Sequence, residues 1–219
     1  MSHPKIAILA SGSGTTAEAF VLAGVNGTID TQVELVICSN RSAGIFERIE
    51  NLNKTHGLNI KCIYIGKDSH PDPKGEEEAL LNMLSNSNVD AIVLMGYMKK
   101  IGPKLVKAFG WQNDFTSPYQ AKMLNTHPGL LPESAGMYGR NVQQHTLDLG
   151  LSFAGQTLHV VSEQYDEGPI IAEHKVAVSK DDTADSLFAK VQKAEKEYLP
   201  QDIDNFIKAR LQYLKGDES

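Results

Sequence analysis

The chain has 219 residues, of which 41% are hydrophobic and 22% charged, with a formal net charge of -6. That composition fits an ordinary globular fold and gives no apolar run long enough for a membrane span. Its acidic balance argues against a nucleic-acid partner held through phosphates.

The first apolar run, Ile6 to Ala10, follows a short Met-Ser-His-Pro-Lys start and is soon broken by glycine. It is too short for a secretory signal, so a cytoplasmic location is expected. It reads instead as a strand, with a helical pattern from Ala17 to Ala23. Between them lies Ser11-Gly12-Ser13-Gly14-Thr15-Thr16-Ala17, where glycines permit a tight turn and the helix N-terminus offers N–H donors to an anion. Gly12-x-Gly14-x-x-Ala17 also satisfies a dinucleotide fingerprint. The second strand ends in Cys38-Ser39-Asn40-Arg41, without the acid that would hold a ribose, although Arg41 would suit a 2'-phosphate. An NADP-dependent oxidoreductase is therefore the rival class.

Strand and helix patterns continue to alternate: Val33 to Cys38 then Ile45 to Thr55, Ile60 to Ile65 then Glu76 to Leu84, Ala91 to Met95 then Lys104 to Phe109. Units of this length imply right-handed crossovers and a parallel sheet. Cys38 and Cys62 lie inside strand-like runs without CxxC spacing and read as buried, reduced thiols. Gly110 to Gln120, rich in Asn, Asp, Ser and Pro, reads as a surface loop. A strand from Met123 to Thr126 and a helix near Val142 to Leu149 follow. Phe153 to Ser162 and Ile170 to Val178 are joined too closely for a crossover, so they predict an antiparallel edge hairpin. A last helix from Ala184 is expected to stop at Pro200, with a second running to about Leu214 and a frayed end at Lys215 to Ser219. The fold class is α/β: a doubly wound, mostly parallel, Rossmann-like sheet with an antiparallel C-terminal edge.

The chemistry concentrates in Leu-Asn-Thr-His-Pro-Gly-Leu-Leu-Pro at 124 to 132 and Asp-Glu-Gly-Pro at 166 to 169. Asn125 and His127 are two apart, so on a strand end they share a face, and Pro128 ends regular pairing. An amide donor beside an imidazole can hold and protonate an oxyanion if a carboxylate such as Asp166 orients the ring and raises its basicity. His159 faces either the site or the core. No His-Glu-x-x-His or similar spacing suggests a metal.

The order Asn-x-His-Pro-x-Leu-Leu-Pro followed by Asp-x-Gly-Pro resembles the formyltetrahydrofolate-dependent formyltransferases, from Ile6 to about Leu211. Within them it is most similar to members acting on glycinamide ribonucleotide in purine synthesis. The resemblance implies a single domain over residues 1–219, with a phosphate-binding half to about residue 100 and a catalytic, folate-binding half after it. It implies that Asn125, His127 and Asp166 are catalytic, and that Gly14, Thr15 and Thr16 hold the acceptor's 5'-phosphate. Gly96 and Pro128 then lie near its amine, and Gln192 and Glu195 near its ribose and amine end. Met98, Lys99, Lys100 and Ile101 match the folate-contacting turn, with Asn125 and Tyr165 also on folate. Here Lys99 and Lys100 replace the usual Arg and aliphatic pair. Lys74, in a loop before the third helix, matches a family arginine near the substrates. The mechanism implied is direct amine attack, with protonated His127 and Asn125 on the oxyanion. The co-substrate is 10-formyltetrahydrofolate, with no bound cofactor or metal. Partners are these small molecules, neither nucleic acid nor membrane, in a monomer or homodimer. Alternatives within the family are the formyltetrahydrofolate deformylase, the methionyl-tRNA enzyme and the sugar enzymes, each of which is expected to need a further domain.

Overall fold

In the computed structural model, which describes residues 3–216, seven strands form one sheet: β1 (Lys5–Ala10), β2 (Gln32–Cys38), β3 (Lys61–Tyr64), β4 (Ala91–Leu94), β5 (Met123–His127), β6 (Phe153–Val160) and β7 (Ile170–Ala177). Their order is β3-β2-β1-β4-β5-β6-β7. Pairing is parallel from β3 through β5 and antiparallel from β5 through β7, as the pattern predicted. The helices are α1 (Thr15–Val25), α2 (Ile45–His56), α3 (Pro73–Ser85), α4 (Pro103–Phe109), α5 (Arg140–Asp148) and α6 (Ala184–Gly216).

Alternate residues of β1 face opposite layers. Ile6 and Ile8 join Phe20, Ile45, Leu124, Ile203 and Phe206 on one side. Ala7 and Leu9 join Leu80, Leu84, Leu105 and Phe109 on the other. Burying each large side chain contributes about 1.5–3 kcal/mol, so the two faces together fix the register of the central strand. Strand order reverses at β1, because the chain leaves it for β2 on one side and later returns to β4 on the other. The crevice this opens at the C-terminal ends of β1 and β4 is the usual ligand position in such sheets.

Four expectations change. The last helical segments are one helix, with Pro200 inside it. A proline there leaves the Lys196 carbonyl without its helical donor and costs about 3 kcal/mol. Leu187, Val191, Leu199, Ile203, Phe206 and Ile207 are all buried on both sides of that point, and their continuous apolar stripe outweighs the break. Of the segment expected to fray, residues 217–219 lie outside the described residues, while Lys215 and Gly216 belong to α6. Lys74 is not in a loop but in the first turn of α3, which starts early because Asp72 accepts from Gly75 N and Pro73 supplies a preset φ. Finally, residues 110–120 are more than a surface loop. Trp111, Phe115 and Tyr119 pack against the core, and Trp111 N donates to Val161 O at 2.7 Å.

No helix among the described residues is long and apolar enough to cross a membrane. Cys38 and Cys62 are free thiols; burial raises both, Cys62 to about 12, which makes them poor nucleophiles. At the far end of α6, Arg210 Nε donates to Ala121 O at 2.8 Å and its Nη1 to Asp90 O at 3.3 Å, tying the helix to the starts of β4 and β5.

Candidate active site

Asn125 and His127 sit at the C-terminal end of β5, directly opposite His159 and Thr157 of β6. Residues opposed across an antiparallel pair share a face, so Asn125, His127 and His159 converge. Asp166 reaches them from the loop after β6, where it holds φ 59°, a left-handed conformation that Asp tolerates better than most residues. The Asn125 amide donates to His159 Nε2 at 3.0 Å and lies 3.4 Å from Asp166 Oδ1. His159 Nδ1 lies 3.0 Å from the Val160 carbonyl, which can only accept, so that nitrogen carries a proton. Asp166 Oδ1 is 3.4 Å from His159 Nε2, its Oδ2 is 3.6 Å from His127 Nδ1, and Oδ2 also accepts from Gly136 N at 2.9 Å.

Burial pushes the Asp166 carboxyl up, but the adjacent His159 and His127 rings and the hydrogen bond from Gly136 N outweigh it, leaving the group below its ordinary value. Burial pushes His127 down, and the Asp166 charge and Ser134 only partly restore it. In the free site the His127 ring is therefore held below its ordinary value, because desolvation exceeds the attraction of a carboxylate 3.6 Å away.

A narrow cleft opens in front of this group, lined by Leu94, Tyr97, Asn125, His159, Tyr165 and Asp166 and bordered by Lys99, Lys100 and Ile101. His127 lies behind the cleft wall, 3% exposed. The Lys99 amine is held by both oxygens of Glu76, at 2.6 and 2.7 Å, while the residue borders the cleft. Lys100 and Ile101 continue into a wider groove with Lys67, His70 and Lys74. Lys74 thus meets the groove and not the cleft. Met98 is exposed, its N–H donating to Ser11 Oγ at 2.9 Å.

The glycine loop stands beside the same strand ends, with Ser11 N donating to Gly96 O at 3.1 Å. Gly14 has φ 76°, and a Cβ on it would come within 2.5 Å of Ile45 Cγ1, so glycine is required there. Thr15 and Thr16 open α1 with N–H groups that have no helical partner. The Thr16 hydroxyl donates to Glu195 Oε2 at 3.2 Å. Its expected hydroxyl contact with phosphate gives way to this bond, and the backbone N–H is left for an anion. Gln192, half-buried, is one helical turn before Glu195 on α6. Pro128 follows His127, its carbonyl accepting from Gln143 Nε2 at 2.6 Å.

Sequence reading left His159 undecided and passed over Ser134 and Gly136. β6 is buried on both faces apart from its first residue, so no polar alternation marked which side His159 takes. Among the described residues no group of three His, Cys, Asp or Glu side chains could hold a metal.

Comparison with known proteins adds the lineage. The phosphoribosylglycinamide formyltransferase of Haemophilus influenzae is 30% identical over 218 residues, covering 97% of this chain and 94% of the relative. That of Bacillus subtilis is 29% identical over 203 residues, covering 93% and 94%. The crystal structure of phosphoribosylglycinamide formyltransferase from Bacillus halodurans superposes with a TM-score of 0.77 at 30% identity, covering 93% of this chain and 95% of that one. The family profile described as formyl transferase matches residues 4–203. With that match spanning nearly all of the sheet and the site, the chain belongs to the formyl transferase family.

Proposed function

We propose that this enzyme transfers the formyl group of 10-formyltetrahydrofolate to the amine of glycinamide ribonucleotide, in purine synthesis. The observation that carries the reading is the convergence of Asn125, His127, His159 and Asp166 at one end of a cleft, next to the glycine loop. In this reading the pterin occupies the cleft, contacting Tyr97, Ile101 and Tyr165. The acidic tail of the folate runs into the groove, where Lys67, Lys74 and Lys100 are exposed. The nucleotide phosphate sits on the N–H groups of Thr15 and Thr16, with Gln192 and Glu195 at its ribose.

The neutral amine attacks the formyl carbon. Asn125, which lines the cleft, donates to the developing oxyanion. Neutral His127, backed by Asp166, takes up through a bridging water the proton that the attacking nitrogen loses and returns it the same way to the departing folate nitrogen as that nitrogen's bond to carbon breaks. The enzyme is expected to work in the cytoplasm, as a monomer or homodimer, with folate as co-substrate. A nicotinamide reading is weakened because Arg41, the residue for a 2'-phosphate, stacks over Tyr64 with 4.9 Å to the ring centroid. Incubating the protein with both substrates and following folate absorbance tests the proposal. Formation of formylated nucleotide supports it, hydrolysis without transfer points to a deformylase, and saturable micromolar NADPH binding points to the oxidoreductase.

A further inference from the structure

We propose that Ser134 is a positioning residue for His127, fixing a proton on Nε2 so that Nδ1, on the Asp166 side, is the nitrogen that accepts and returns the proton of catalysis. The role assigned to His127 rests on the function proposed above. The Ser134 hydroxyl lies 2.8 Å from His127 Nε2 and donates to the Leu130 carbonyl at 2.7 Å. A hydroxyl has one proton. With that proton held by a carbonyl, the serine oxygen can only accept from the ring, and Nε2 must be the protonated nitrogen. Nδ1 then carries the lone pair, and it faces Asp166 Oδ2 at 3.6 Å, beyond hydrogen-bond length. That spacing suits a neutral ring. On protonation Nδ1 becomes a donor and the carboxylate a partner.

The hydroxyl has little freedom to turn elsewhere. Ser134 is 4% exposed, and a Cβ on Gly129 would come within 2.1 Å of its Oγ, so the backbone at 129 is bare where the serine seats. Two residues on, Gly136 N donates to Asp166 Oδ2 at 2.9 Å. One short loop therefore grips both members of the pair, the imidazole at Nε2 and the carboxylate at Oδ2. The titratable groups facing His127 are Asp166 and His159; Ser134 is the neutral contact that decides between its two tautomers.

The test is Ser134→Ala, which removes one oxygen and no packing carbon. Without its acceptor on Nε2, the neutral ring gains by moving its proton to Nδ1, where it can donate to Asp166. That removes the lone pair that is needed. Nitrogen-15 spectra of the imidazole should change from the Nε2–H pattern to the Nδ1–H pattern. Turnover should fall roughly tenfold, part of the hundredfold or more that losing an acid/base group costs, with KM for both substrates little changed. Unchanged imidazole spectra would overturn the proposal while wild-type transfer stood. Absence of transfer in the wild type would defeat the functional reading alone, because the imidazole spectra decide the serine's role without turnover.

Discussion

Thr16 and Glu195, 179 residues apart in sequence, share a hydrogen bond of 3.2 Å that joins the start of the first helix to the middle of the last. Burial raises the Glu195 carboxyl above its ordinary value, against the hydrogen bond from Thr16 that lowers it. A raised folded value means that the stability linked to this group is present below its unfolded pKa and lost as pH rises through the folded one. Glu195→Gln should therefore raise the melting temperature at pH 7 to 8, by roughly 2–4 °C per kcal/mol for a chain of this size. The gain should shrink towards pH 4. A melting offset independent of pH would show that the carboxyl is not destabilised by burial. Glu195→Ala should reduce formyl transfer far more than background hydrolysis of formyl-folate, since it frees one end of the acceptor.

Removing the groups at the end of β5 should act on chemistry before stability. Asn125→Ala and His127→Ala are each expected to lower turnover by about a hundredfold or more, the scale of one oxyanion donor or one acid/base group. Single-turnover rates with both substrates saturating provide the measurement. Near-wild-type rates in either variant would remove that residue from the mechanism.

Asp166→Asn keeps an oxygen for the Gly136 amide but removes the charge that supports an imidazolium. His127 should then titrate at still lower pH, because the carboxylate's upward push is lost and burial acts almost alone. The histidine proton resonances followed from pH 4 to 8 give the answer; an unmoved titration would mean that the pair is not coupled.

Gly14→Ala puts a methyl against Ile45 and asks an L-residue to hold φ 76°. Overpacking of about 1–3 kcal/mol adds to roughly 1–2 kcal/mol for the left-handed backbone. The variant should be about 2–5 kcal/mol less stable by urea denaturation and should bind the nucleotide weakly. Wild-type stability would mean that the loop can relax away from α2.

Much of this was legible in the chain because two codes agree in it. Ile6 to Ala10 and Ala91 to Leu94 are short apolar runs set between helical patterns, so the parallel sheet could be read directly, and the brief link before Ile170 betrayed the antiparallel edge. Asn125 and His127 were legible by parity alone. What stayed hidden depends on register or on three-dimensional competition. His159 belongs to the site only because β6 sets it opposite Asn125. The grip of Glu76, 23 residues away, on the Lys99 amine could not be read from spacing. The downward push on His127 was hidden because a neighbouring carboxylate can be counted from sequence, whereas the depth of burial opposing it cannot. Pro200 obeyed its local rule only until the buried stripe on α6 was complete.

That unbroken helix has a consequence for how the protein tolerates sequence drift. Glu195 and Arg210 ride on the same rod, about 22 Å apart at 1.5 Å per residue, and Arg210 is clamped to the carbonyls of Asp90 and Ala121 at the opposite end of the sheet from the reacting groups. The rod transmits aim. A lineage that loses Arg210 would still assemble its sheet, but the angle at which Glu195 meets Thr16 would no longer be set, and accuracy towards the acceptor would decay before the architecture did.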